Sequence, residues 1–117
     1  MPRVFVEGHP VPKGRPRMTK SGKTYTPART RIWEQAIGWA WKAAHPGVEP
    51  IGSEVEVVVR VYHGKGNRGD LDNYIKAALD GLNGIAWVDD KQIRGINARF
   101  EPVGISGEGL SIQVMEG

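Results

Sequence analysis

Residues 54–82 place a strand pattern, a glycine-rich loop and a helix pattern in direct succession: EVEVVVRVYHGKGNRGDLDNYIKAALDGL. Valine occupies every second position over residues 54–62, which is typical of a strand with one buried face. Residues 71–82 have apolar side chains at helical spacing, and Asn83-Gly84 is a pair that often ends a helix. The predicted buried stripe of this helix is Ile75, Leu79 and Leu82. The stretch therefore predicts a strand that passes through a loop into an amphipathic helix.

Alternating patterns elsewhere in the chain predict three more strands. They are Arg3–Glu7, Arg94–Pro102 and Gly109–Met115. A glycine-rich turn at residues 104–109 separates the last two, which predicts that they pair as an antiparallel hairpin. Residues 8–27 are rich in proline and glycine and predict an irregular loop.

A second helix is predicted from Pro27 to about His45, where Pro46-Gly47 ends it. Its predicted buried face is formed by Ile32, Ala36, Trp39 and Ala43. The resulting order β-α-β-α-β-β predicts one α+β domain over residues 1–117, with two helices packed on one face of a small mixed sheet.

The four tryptophans are too many for one core in a domain of this size. We expect Trp39 and Trp87 to pack between helix and sheet. Trp33 and Trp41 are then candidates for a dimer surface.

The composition is that of a small globular domain. A chain of 117 residues, 39% hydrophobic and 25% charged, suits a single core. It contains no cysteine, which excludes disulfides, thiolate zinc sites and a cysteine nucleophile. No apolar run approaches the roughly 20 residues of a membrane span, and the first residues lack a signal-peptide pattern. We therefore expect a cytoplasmic protein with no membrane partner.

Basic residues are concentrated in residues 12–31, which contain seven lysines and arginines and no acid. They are Lys13, Arg15, Arg17, Lys20, Lys23, Arg29 and Arg31. Such a block is a candidate contact for a polyanion, and a solvated basic loop is the alternative. Tyr25 within it can stack on a base or pack against the domain.

All five aspartates lie between Asp70 and Asp90, in a protein whose net charge is +3. Asp70 and Asp72 come at the predicted start of a helix, where the helix dipole favours carboxylates. Because the chain turns at Gly84, we expect Asp89-Asp90 to approach that end. Carboxylates from two segments, with room left for water and phosphate, suit Mg²⁺, and Lys76 beside them can stabilise a charged transition state.

Each acid also has a structural explanation. Asp72, Lys76 and Asp80 can form an ion-pair ladder along one helix stripe. Asp70 can be a helix N-cap, and Asp89-Asp90 can be a turn.

Residues 70–93 carry a specific family resemblance. Asp70-Leu71-Asp72-Asn73, then Lys76, Asp80 and Trp87-Val88-Asp89-Asp90-Lys91-Gln92-Ile93 resemble the RusA family of Holliday junction resolvases. The N-terminal Pro10-x-Pro12-Lys13-Gly14-Arg15-Pro16-Arg17 and Tyr25-Thr26-Pro27 are similar to the basic entry segment of that family.

The resemblance implies a small homodimeric endonuclease that makes paired nicks in branched, four-way DNA during recombination and repair, often prophage-encoded. It implies that Asp70, Asp72 and Asp90 hold Mg²⁺, which Mn²⁺ can replace, and that Lys76 is the catalytic lysine. Asp89 is the weaker member of its pair. Family members often have a basic residue directly before the first aspartate, where this chain has Gly69.

The DNA contacts that we expect are Lys13, Arg15, Arg17, Lys20, Lys23, Lys65 and Arg68. Two other functions stay open. One is a module that binds branched DNA without cutting it, although uncompensated carboxylates would weaken DNA binding. The other is a metal-dependent nuclease for flaps or other branched DNA.

Overall fold

The computed structural model describes residues 2–14 and 17–117 of the chain. The described strands and helices, in chain order, are β1 (Arg3–Glu7), β2 (Arg17–Met18), β3 (Thr24–Tyr25), α1 (Ala28–Ala44), β4 (Val55–Tyr62), α2 (Leu71–Leu82), β5 (Ile93–Glu101) and β6 (Gly109–Glu116). A single 3₁₀ turn, Asp90–Gln92, precedes β5. The predicted α+β class is confirmed, and β2 and β3 form a short ribbon inside the predicted N-terminal loop. Neither helix of the described chain is long and apolar enough to cross a bilayer.

The main sheet has the strand order β1-β6-β4-β5 and is mixed. β4 pairs with β6 in antiparallel fashion and with β5 in parallel fashion, and α2 connects the two parallel strands. The predicted hairpin between the last two strands is therefore wrong, because β4 lies between them. The physical reason is burial: the alternate valines of β4 are 0–1% exposed, so this strand takes a central position. β5, whose side chains are mostly half-buried or exposed, takes an edge.

Both helices pack on one face of this sheet and share one core with it. The inward residues of β4 and β6 form a single cluster with those of the helices. On α2 the fully buried side chains are Tyr74, Ala77, Ala78 and Leu82. Of the predicted stripe, Leu82 is buried, whereas Ile75 and Leu79 are only half-buried.

The buried face of α1 differs from the predicted one. Trp33, Ile37 and Trp41 are buried, whereas Ile32 and Trp39 are 63% and 67% exposed. The predictions that Trp33 and Trp41 lie on a dimer surface and that Trp39 packs inside are therefore wrong, and Trp87 is buried as predicted.

A close contact between the two helices explains this rotation of α1. A Cβ on Gly38 would lie 3.1 Å from the Gly81 carbonyl oxygen, and one on Gly81 would lie 2.9 Å from the Glu34 carbonyl oxygen. α1 and α2 thus approach to a distance that only glycine permits. The face of α1 that contains Gly38 must turn inward, which leaves Trp39 outside.

Candidate active site

Asp70 and Asp72 lie at the N-terminus of α2, directly after the loop that leaves β4. Asp70 occupies the N-cap position in an extended conformation, yet its side chain makes no capping hydrogen bond. Asp72 lies in the first turn, and both side chains are exposed. The positive end of the helix dipole stabilises this pair of carboxylates. Because Asp70 does not cap the helix through its carboxylate, the N-cap explanation does not account for this side chain.

Lys76 lies one turn further along α2. Its Nζ is 3.9 Å from Oδ2 of Asp72, and the two side chains are 62% and 68% exposed. An exposed pair of this kind stabilises a helix by only about 0.3–0.5 kcal/mol. The three-membered ladder does not form, because the salt bridge of Asp80 goes to Lys13.

Lys13 is half-buried, and its ammonium bridges the two helices. Its Nζ lies 2.7 Å from Oε2 of Glu34 and 2.8 Å from Oδ2 of Asp80, and its amide donates to the Asn73 carbonyl. Burial lowers the pKa of Lys13, but the hydrogen bonds to Asp80 and Glu34 outweigh burial and raise that pKa above its ordinary value. Two carboxylates compensate this charge, so the geometry gives Lys13 a structural role between the helices.

Asp89 and Asp90 belong to a hydrogen-bonded segment that leads into β5 beside the start of β4. The Trp87 Nε1–H donates to Oδ1 of Asp90 at 2.7 Å. The Asp89 amide donates to the Gln92 side-chain oxygen, and the Gln92 Nε2–H donates to the carbonyls of Ile51 and Ser53. The second carboxylate oxygen of Asp90 is not used by this bond and can serve as a ligand.

The structure places Asp90 far from Asp70 and Asp72. Trp87, three residues before Asp90, forms a bridge with Asn83 at the C-terminal end of α2. α2 has 12 residues, so its two ends are separated by about 18 Å. The expected approach of Asp90 to the other two aspartates within one chain is therefore wrong. The reason is that the chain turns back only after Gln92, where β5 begins beside Val55.

The residues fit a divalent cation in their chemistry but not as a complete set in one chain. Asp70 and Asp72 offer exposed carboxylate oxygens, which are the ligands that Mg²⁺ prefers. Among the described residues, no three His, Asp or Glu side chains come close enough together to hold a metal ion. Within one chain, this end of α2 therefore offers the two carboxylates of Asp70 and Asp72, with room for water and phosphate.

The loop at residues 63–69 makes contacts that the sequence did not indicate. The Gly64 amide donates to Oε2 of Glu108 at 2.8 Å, and Nδ1 of His9 lies 2.8 Å from the same oxygen. The Gly69 amide donates to the Tyr74 hydroxyl at 3.1 Å. The hydrogen bond from Gly64 and the bond to His9 hold the pKa of Glu108 below its ordinary value. No periodicity or motif marks Glu108, since its partners are distant in sequence.

The predicted DNA contacts fall on two exposed parts of the chain. Arg17, Lys20 and Lys23 lie on and beside the ribbon of β2 and β3. Tyr25 is paired with Arg17 across this ribbon and is 46% exposed, so it does not pack inside. Arg15 lies outside the described residues.

The loop at residues 63–69 contributes the other two predicted contacts, Lys65 and Arg68. Both side chains are exposed. The Arg68 guanidinium carbon lies 3.9 Å from the centre of the Phe100 ring, so a cation–π contact orients it.

A sequence model described as endodeoxyribonuclease RusA matches residues 7–115, which is almost the whole chain. No curated protein matches the chain.

Proposed function

The chain belongs to the RusA family of endodeoxyribonucleases, and we propose that it resolves four-way DNA junctions as a Mg²⁺-dependent homodimer. The family membership confirms the prediction from residues 70–93 and identifies the chain as a nuclease, a hydrolase that acts on DNA. The observation that carries the proposal is the exposed carboxylate of Asp70, which makes no capping hydrogen bond, at the same helix N-terminus as Asp72 and Lys76.

A divided ligand set is the reason to propose a dimer. Asp70 and Asp72 lie at one end of α2, which is about 18 Å long, and the segment of Asp90 lies beside the other end. A two-fold axis across α2 would exchange these ends and bring Asp90 of a second copy to the aspartate pair. Two such copies would form two equivalent sites, as paired cuts in a symmetric junction require.

The chemistry assigned to each residue follows from its position. When bound, Mg²⁺ would polarise the phosphoryl oxygen and supply a nucleophilic water at neutral pH. Asp70 and Asp72 would hold the ion, and Asp90 of the second copy would complete the set. The Lys76 ammonium, exposed beside Asp72, would stabilise the negative charge that develops on the phosphate.

The exposed basic residues would hold the arms of the junction. Arg17, Lys20 and Lys23 extend on the ribbon, and Arg29 and Arg31 are exposed in the first turn of α1. No acid interrupts residues 12–31, so the field there attracts phosphates. In this proposal Lys13 anchors the segment and does not contact DNA.

The direct experiment is cleavage of a labelled synthetic four-way junction, a flap and a linear duplex, each with Mg²⁺ or with EDTA. We expect paired, symmetric nicks in the junction with Mg²⁺ and none with EDTA. Preferential cleavage of the flap would mean that flaps, and not four-way junctions, are the substrate. Junction binding without cleavage under both conditions would identify a non-cleaving module.

A further inference from the structure

We propose that the Tyr74 hydroxyl and the Glu108 carboxylate are positioning groups that clamp the two ends of residues 64–69 and so fix Asp70. The inference rests on the metal-binding role proposed for Asp70. It adds two residues that neither touch the ion nor belong to the aspartate–lysine motif.

The Tyr74 end of the clamp lies directly before Asp70. Tyr74 is 2% exposed, and its ring packs edge-on against Phe100 at 5.5 Å between centroids. The packing fixes its hydroxyl, which accepts the Gly69 amide at 3.1 Å. Asp70 follows Gly69, its backbone carbonyl accepts a hydrogen bond from the Asn73 amide, and its side chain makes no capping hydrogen bond. The position of the Asp70 carboxylate therefore depends on where Gly69 is held.

The Glu108 end holds the start of the same loop. Glu108 accepts the Gly64 amide and contacts His9, and the Glu108 carbonyl accepts the Gly8 amide. A Cβ on Gly64 would lie 2.9 Å from the carboxyl carbon of Glu108, so the carboxylate fills the space beside this glycine. The segment after β1, the loop after β4 and the connection before β6 meet at this one carboxylate.

The loop needs such anchors because of its composition. Gly64, Gly66 and Gly69 are three of its six residues, and Gly66 has a φ of 104° that side-chain-bearing residues rarely adopt. Ordering each such residue costs about 1–2 kcal/mol of backbone entropy. An unanchored loop would spread Asp70 over several positions, and a misplacement of about 1 Å can lower a rate by about 10²-fold.

The first test removes only the Tyr74 hydroxyl, by Tyr74→Phe, with Tyr62→Phe as the matched control. The Tyr62 ring packs edge-on against Phe5 and not against Phe100, and it is half-buried. For Tyr74→Phe we expect about a tenfold slower maximal nicking rate and about a tenfold higher Mg²⁺ concentration at half-maximal rate. Junction affinity in EDTA and the thermal midpoint should stay close to wild type, and Tyr62→Phe should nick normally.

A second readout does not depend on cleavage. Hydrogen exchange followed by NMR should show faster exchange of the Gly69 amide in Tyr74→Phe and unchanged exchange in Tyr62→Phe. Unchanged exchange at Gly69, or wild-type nicking by Tyr74→Phe at every Mg²⁺ concentration, would overturn the role of Tyr74. If wild-type protein cuts no junction, the proposed function fails, while the exchange result still decides whether the clamp exists.

The Glu108 end is tested by two substitutions with different outcomes. Glu108→Ala removes the acceptor for the Gly64 amide, whereas Glu108→Gln keeps a side-chain oxygen there. We expect Glu108→Ala to raise the Mg²⁺ concentration at half-maximal rate several-fold, whereas Glu108→Gln should stay close to wild type. The Gly64 amide should exchange faster only in Glu108→Ala. Equal behaviour of Glu108→Ala and wild type would remove Glu108 from the clamp.

Discussion

Replacing Lys76 by alanine separates a structural role of this lysine from a catalytic one. In the structure its ammonium lies 3.9 Å from the Asp72 carboxylate, and both side chains are more than 60% exposed. The loss of such a pair costs about 0.3–0.5 kcal/mol, which lowers the thermal midpoint by less than about 3 °C. A group that stabilises a transition state instead contributes about 10²–10³ in rate, or roughly 3–4 kcal/mol.

Single-turnover cleavage of a labelled four-way junction measures the difference. We expect Lys76→Ala to fold, to bind the junction and to cut at most about a hundredth as fast as wild type. Lys42→Ala, which removes an exposed lysine from α1, is the control and should cut normally. Cleavage by Lys76→Ala within a few-fold of the wild-type rate would show that Lys76 only forms an ion pair with Asp72 and has no catalytic role.

Three further expectations follow from contacts of named side chains. Lys13→Met should lower the free energy of unfolding by about 1–3 kcal/mol, because Glu34 and Asp80 lose their partner. The salt dependence of junction binding should not change. A loss of junction affinity larger than the loss of stability would show that Lys13 contacts DNA. Gly69→Arg should fold, since a Cβ at this position meets nothing closer than 3.5 Å. The slope of log junction affinity against log salt concentration should steepen by about one per chain, because the added arginine contacts a phosphate. An unchanged slope would show that position 69 is away from DNA. The folded-state pKa of Glu108 is lowered, so its stabilisation is present above the ordinary pKa of 4.5 and is lost as pH falls through the folded value. Wild-type protein should therefore lose more stability than Glu108→Gln in thermal unfolding between about pH 5 and about pH 3, and parallel curves would contradict this.

Local patterns were sufficient for the two helices and the four strands of the main sheet, but not for the ribbon of β2 and β3 or for the arrangement of the elements. The valines of β4 and the helical spacing of α2 depend on neighbours in sequence, and both elements were predicted from them. The pairing of β5 depends on which strand becomes central. The rotation of α1 depends on the contact between Gly38 and Gly81, which are distant in sequence, and tryptophans occur on both of its faces.

The same distinction applies to the candidate site. The position of Asp70 and Asp72 at the start of α2 follows from the local sequence. The position of Asp90 depends on Gln92, whose side chain ties the segment to Ile51 and Ser53. These contacts leave no periodic pattern in the sequence. The turn at Gly84 therefore suggested that the chain reverses direction there, whereas it does so only after Gln92.

A mixed dimer tests directly whether the ligand set is divided between two copies. Asp72→Asn and Asp90→Asn chains with different tags would be co-expressed, and the mixed dimer purified through both tags. Each homodimer should bind the junction and cut nothing. In the mixed dimer, one site combines Asp70 and Asp72 of the Asp90→Asn chain with Asp90 of the Asp72→Asn chain.

We expect this mixed dimer to nick one strand at about half the wild-type rate, because one of two symmetric sites is intact. The control is a mixed dimer of Asp70→Asn and Asp72→Asn chains, in which both sites lack a ligand, and it should be inactive. An inactive Asp72→Asn/Asp90→Asn mixed dimer that still binds the junction would contradict the divided site.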